Sequence, residues 1–172
     1  MSLEAFKSRV LPVKDKLYRY TLRLLKSEDE AKDVVQETMI KVWNKRDEMD
    51  AYQNMEAWCM RVARNLALDK LKSKHNKSVD LDTAYELQSS SQSPYSSAEQ
   101  NDTMHAVYSD INQLPEMQKQ AIRLRDVEGF SYQEISEILN QNINTVKVNL
   151  FRARKFVREQ LINVNAYGLK AN

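Results

Sequence analysis

Five cations and no acid fall between Asn144 and Arg158: Lys147, Arg152, Arg154, Lys155 and Arg158. Guanidinium and ammonium groups at helical spacing pair with phosphate oxygens, and arginine can also fork onto a guanine edge. At ~100° per residue, Val146, Leu150, Ala153 and Val157 share roughly one 60° arc, a core stripe. Lys147, Arg154 and Arg158 lie to one side of that arc, while Val148, Phe151 and Lys155 face away from it. Apolar groups among cations, off the core face, suit contact with thymine methyl groups while the cations hold phosphates. A helix with a basic outer face and stray surface apolars has the same pattern. The run by itself therefore establishes a helix able to bind polyanions and no more.

The preceding residues supply the element that positions it. Ser131 with Glu134 forms a capping box. Ile135, Ile138 and Leu139 follow at helical spacing, and the small Ser136 lets two crossing helices approach. Asn140 stands where the turn needs a left-handed residue, which Asn tolerates. Asn144 is read as the cap of the second helix. The pair has the layout of a helix-turn-helix whose second helix enters a DNA groove. Such pairs also serve protein contacts, so DNA binding requires support from elsewhere in the chain.

The amino-terminal half provides it. Phe6, Val10, Leu17, Tyr20 and Leu24 are spaced for helix around Pro12, which breaks or kinks it. Ser27 and Glu30 make a second capping box before a helix to about Trp43. Ala31, Val34, Val35, Thr38 and Val42 share its core face, and Ile40 lies almost opposite among charges, a candidate protein contact. The spacing then predicts a long helix over Asn54–Lys74. Its wide apolar arc holds Cys59, Met60, Val62, Ala63, Leu66, Ala67, Leu68 and Leu71. The remaining narrow stripe carries Trp58, Arg61, Asn65, Asp69 and Lys72, a ribbon able to pair phosphates and stack bases. Core packing is the competing reading for Trp58. For Asp69 it is an ion pair that orients the basic groups.

Charge divides the chain. Residues 1–77 carry 17 basic and 12 acidic groups, whereas residues 78–103 carry five acidic groups and no basic one. Seven serines and Pro94 crowd that middle stretch, which buries too little apolar surface to offset its ordering entropy and reads as a flexible linker. The expected organisation is all-α: a helical domain over 1–77, an acidic Ser-rich linker over 78–103, a helix-turn-helix domain over 104–165, and a tail over 166–172. Two glycines and three prolines agree with helices rather than sheets. One cysteine excludes an internal disulfide and suits a reducing compartment. No run is long or apolar enough for a signal peptide or a membrane span, so the expectation is a cytoplasmic protein without membrane insertion. With no glycine-rich phosphate loop, metal-ligand cluster or nucleophile beside a base, neither catalysis nor a cofactor or metal is expected.

Read together, the halves resemble the extracytoplasmic-function type of bacterial RNA polymerase sigma factor, the short two-domain branch. Three passages carry the resemblance. Asp29–Trp43 is similar to the family's polymerase-clamp helix, Ala57–Leu71 to its promoter-melting helix, and Leu114-Pro-Glu-Met-Gln with Phe130–Arg158 to its carboxy-terminal promoter-binding domain. The resemblance implies that Asp33, Gln36, Glu37, Ile40 and Lys41 face the polymerase clamp. It implies that Trp58, Arg61, Asn65 and Lys72 lie along the melted −10 element, with the loop Arg46–Asn54 as the pocket for a flipped-out base. Lys147, Val148, Asn149, Phe151, Arg152, Arg154 and Lys155 would read or clamp the −35 element.

Lys147 and Asn149 stand where members often have Arg. Lysine lacks the bidentate fork to guanine and Asn prefers adenine, so the −35 sequence does not transfer from relatives. The implied partners are core RNA polymerase through its clamp and flap, promoter DNA and an anti-sigma factor, with a monomer when free. Two alternatives remain open at this point. One is a helix-turn-helix regulator that binds duplex DNA without acting as a polymerase subunit, and the other is a helical adaptor that binds polymerase without DNA.

Overall fold

The computed structural model describes residues 2–48, 54–79 and 100–168, with side chains over 2–48, 54–75 and 104–163. The described elements are α1 (Leu3–Arg9), a 3₁₀ turn (Leu11–Val13), α2 (Lys14–Leu25), α3 (Glu28–Asn44), α4 (Met55–Val79), α5 (Gln100–Gln113), α6 (Glu116–Ile122), a π turn (Arg123–Val127), α7 (Tyr132–Leu139) and α8 (Ile143–Gly168). No strand occurs among the described residues, and none of their helices is long and apolar enough to cross a membrane. Helices α1 to α4 group into one compact unit together with Ser136–Asn140, and α5, α6, the start of α7 and α8 into another. Residues 80–99, the body of the expected linker, lie outside the described residues, as do residues 169–172 of the tail.

In the first unit, Pro12 sits in the 3₁₀ turn that separates α1 from α2, as its missing N–H and fixed φ require. Lys26 then ends α2 in the left-handed region (φ 54°), with its N–H donating to the Leu22 carbonyl. Ser27 caps α3 by accepting from the Glu30 N–H. The box is only half made, because the Glu30 carboxylate turns away to Lys74 on α4 at 2.7 Å. Helices α2, α3 and α4 pack on one another around Leu17, Tyr20, Val34, Val42, Cys59, Met60 and Ala63. Full burial of Leu17, Val34, Val42 and Met60 contributes about 1.5–3 kcal/mol each. The buried Thr21 and Thr38 hydroxyls donate to the carbonyls of Leu17 and Val34, so neither is an uncompensated polar group.

In the second unit, Leu114 is buried and Pro115 leads into α6 in extended geometry. Helix α8 packs against α5 and α6. Ser131 and Glu134 close the full capping box of α7: Ser131 Oγ accepts from the Glu134 N–H at 3.2 Å, and the Glu134 carboxylate accepts from the Ser131 N–H at 2.7 Å. Asn140 adopts the left-handed conformation (φ 50°) expected of the turn. The cap of α8 is a correction. Asn142, not Asn144, holds that place, its Oδ1 accepting from the Asn144 N–H at 2.8 Å and its carbonyl from the Val146 N–H. The helix starts two residues earlier than Asn144 capping allows, so Asn144 lies inside its first turn.

Candidate nucleic-acid and polymerase interfaces

The core stripe of α8 is as the spacing predicts: Val146, Leu150, Ala153 and Val157 are all buried. That fixes what the other side presents. Phe151 is 67% exposed and Val148 46% exposed, with Lys147, Arg152 and Lys155 exposed around them and Asn149 half-buried. Phe151 and Val148 together form an exposed apolar pair among cations, which makes this face a candidate contact surface. The cations differ in their engagements. Lys155 lies 3.9 Å from Glu159, a loose exposed pair that adds little. Arg154 is held far more tightly: its Nε and Nη2 donate to the two carboxylate oxygens of Asp126 at 2.9 and 2.6 Å. Those hydrogen bonds raise the pKa of the Arg154 guanidinium above its ordinary value.

On α4 the expected ribbon begins later than the periodicity suggests. Arg61, Asn65, Asp69 and Lys72 are exposed in a line, but Trp58 is 8% exposed and belongs to the core. At the start of α4, Met55, Ala57, Trp58, Cys59 and Met60 are all buried, and Glu56 alone is half-buried. An averaged helical period does not register such local enclosure. The expectation that Trp58 stacks a base from the ribbon is therefore corrected to a core position. The ion pairs on this helix also differ from expectation. Lys70 reaches Asp33 at 3.6 Å and Lys74 reaches Glu30 at 2.7 Å, so acids of α3 rather than Asp69 tie α4 in place.

Cys59 sits beneath this surface. Burial, then the neighbouring Glu56 carboxylate, pushes its thiol up to about 12, which leaves it protonated and unreactive at neutral pH.

The third surface is on α3. Ile40 is 52% exposed, and Gln36, Glu37 and Lys41 are exposed beside it. Lys41 pairs with Glu37 at 3.2 Å along the helix. At the end of α3, the Trp43 ring takes Phe6 edge-on at 5.3 Å and the Arg46 guanidinium over its face at 4.9 Å. These contacts anchor the entry to the loop Arg46–Asn54, whose residues 49–53, and with them the expected base pocket, lie outside the described residues. Asn54 closes the far side by accepting from the Ala57 N–H at 3.0 Å. Among the described residues no group of His, Cys, Asp and Glu could hold a metal ion. Sequence reasoning missed Asp126 and Asn142. Asn142 was readable from its type as a cap, whereas nothing in the spacing links Asp126 to Arg154.

Comparison with known proteins matches each unit separately. The family model described as sigma-70 region 2 matches residues 10–77, and that described as sigma-70, region 4 matches residues 105–157. The RNA polymerase sigma factor SigV of Bacillus subtilis (strain 168) is 30% identical over 149 residues, which cover 86% of each chain. The ECF RNA polymerase sigma factor SigW of the same organism is 29% identical over 167 residues, covering 92% of this chain and 89% of the relative. Among solved structures, the sigma factor RpoE in complex with the anti-sigma factor NepR from Bartonella quintana gives a TM-score of 0.73 at 29% identity. It covers 92% of this chain and 98% of that one.

Proposed function

The chain belongs to the extracytoplasmic-function type of RNA polymerase sigma factors, and from that premise we propose which surface carries each part of the work. It directs core polymerase to its promoters and assists in opening them. It is a non-catalytic subunit acting in the cytoplasm, where the polymerase supplies the chemistry. The α3 face of Asp33, Gln36, Glu37, Ile40 and Lys41 docks on the polymerase clamp. The α4 ribbon of Arg61, Asn65 and Lys72 lies along the melted −10 strand. Trp58 supports that ribbon from the core rather than touching a base. The α8 face of Lys147, Val148, Asn149, Phe151, Arg152 and Lys155 enters the −35 groove. As in the solved complex of its structural neighbour, an anti-sigma protein is a further partner.

The observation that carries this reading is Ile40. A regulator that only binds duplex DNA needs the Phe151 face, but it has no use for an apolar side chain 52% exposed on a separate polar helix. Run-off transcription with purified core polymerase tests it directly. The expected result is a promoter-dependent transcript that Ile40→Asp abolishes by preventing assembly with polymerase, while the variant keeps its helical content. A protein that yields no transcript yet shifts duplex DNA unaided is a regulator instead.

A further inference from the structure

Arg154 sits at the edge of the DNA-facing side of α8, yet its fork is already filled. Both carboxylate oxygens of Asp126 accept from it. Asp126 is not a pliable partner. It lies in the π turn Arg123–Val127, closed by the Glu128 N–H donating to the Arg123 carbonyl and the Phe130 N–H to the Leu124 carbonyl, each at 3.0 Å. Gly129 follows in the left-handed region (φ 82°), where a side chain would be strained. Arg125 braces the same turn. Its Nη1 donates to the Phe130 carbonyl at 2.8 Å, and its guanidinium lies 5.0 Å over the Tyr132 ring. The acid that receives Arg154 is thus presented by a loop tied down at several points.

The core stripe leaves the exact azimuth of α8 undetermined. Val146, Leu150, Ala153 and Val157 decide which side of α8 is buried, but apolar packing is non-directional and tolerates small rotations of a helix about its axis. A bidentate fork is directional. Arg154 lies one turn beyond Phe151, so fixing its azimuth fixes that of the ring and of Arg152 between them. Exposed ion pairs add little to stability, and both partners here keep about 40% exposure (43% and 39%). Stabilising the unit is therefore a poor explanation for the arrangement, whereas aiming the helix is a good one.

Resting on the promoter-binding reading above, we infer that Asp126 and Arg154 form an intramolecular clasp that aims the recognition helix, and that Arg154 is a positioning residue rather than a DNA contact. The −35 surface then reads bases and phosphates through Lys147, Val148, Asn149, Phe151, Arg152 and Lys155. Clasped, Asp126 also presents a neutralised carboxylate beside the groove rather than a charge that repels phosphate.

The test uses the holoenzyme formed by the full chain with core polymerase. The probe is a duplex that the wild-type holoenzyme enriches from a pool randomised across the upstream element, measured against the unselected pool. Arg154→Gln, Arg154→Lys and Asp126→Asn are each expected to lower the preference for the enriched duplex roughly three- to fivefold. The double variant Asp126→Asn/Arg154→Gln is expected to be no worse than the worst single one, as for two ends of one interaction. Arg154→Lys is the discriminating variant, because lysine holds a phosphate but cannot make the fork. The salt dependence of binding by Arg154→Gln should match wild type, whereas Arg152→Gln should lose about one unit of slope, the signature of a lost phosphate contact.

Several results overturn the clasp: Arg154→Lys or Asp126→Asn keeping the full preference, or Arg154→Gln losing about one unit of slope. So does loss of helical signal in all three variants, since the pair would then hold the unit together rather than aim one helix. If the wild-type holoenzyme enriches no duplex at all, the promoter reading itself fails, and the clasp falls with it.

Discussion

On α8 the outward face is broken by Phe151 and Val148, whereas on α4 the one large aromatic near the surface, Trp58, is turned into the core and the ribbon from Arg61 to Lys72 is wholly polar. Both surfaces are cationic and both belong to long helices. The difference follows from what each is proposed to meet. A helix entering a major groove finds thymine methyls and base edges, so exposed apolar groups gain partners there. A separated strand offers phosphates to cations and base faces to aromatic rings, and the α4 ribbon, which exposes Arg61 and Lys72 but no ring, is suited to the phosphates. The two helices are also tied down differently. Lys70 and Lys74 link α4 to acids of the neighbouring α3, while a single fork from Asp126 reaches α8.

Substitution of the two aromatics breaks or sharpens the contrast most. Trp58→Ala should destabilise the first unit by about 3–5 kcal/mol, the cost of emptying a core site, as read by thermal denaturation. Phe151→Ala should leave the unfolding midpoint nearly unchanged, within the ~0.5 kcal/mol of ordinary surface positions, yet sharply reduce −35-dependent transcription. A Trp58→Ala protein that unfolds with the wild type would return the indole to the DNA surface. Arg152→Ala comes next, with a loss of promoter affinity of about 1–3 kcal/mol and a shallower salt dependence. Smaller again is the cap of α8: Asn142→Ala should cost about 1 kcal/mol of stability and Asn144→Ala no more than a few tenths.

The smallest effect at neutral pH concerns Cys59. Its thiol pKa is raised on folding from 9.0 to about 12, so the native state holds the proton more tightly than the unfolded chain. The associated stability is fully present below about pH 9 and is lost as pH rises from there towards 12. Equilibrium unfolding followed across that range checks the sign. Rapid alkylation of the native thiol at pH 7 would contradict its burial.

Much of this was readable from local chemistry. The Ser131–Glu134 box, the left-handed Asn140, the buried stripe of α8 and the exposed Ile40 and Phe151 all follow from residue type and helical period. What the period misses has two physical sources. Covering by neighbouring turns is not periodic, so Trp58 falls in the polar stripe by angle and in the core by environment. Contacts between distant elements leave no spacing, so the Asp126–Arg154 fork and the turning of Glu30 from its capping box to Lys74 were invisible. Asn142 is a different kind of miss: two amides two residues apart are both good caps, and the choice depends on where α8 actually begins.

The division of labour between the two helices can be read in one experiment. Thymine reactivity towards permanganate reports strand opening, and a footprint over the −35 region on the same holoenzyme–promoter complexes reports duplex binding. Arg61→Ala/Lys72→Ala is expected to keep the −35 footprint while the −10 thymines stay unreactive. Phe151→Ala should lose the footprint. Opening at the wild-type level by the α4 double variant would contradict the assignment of the ribbon to the melted strand.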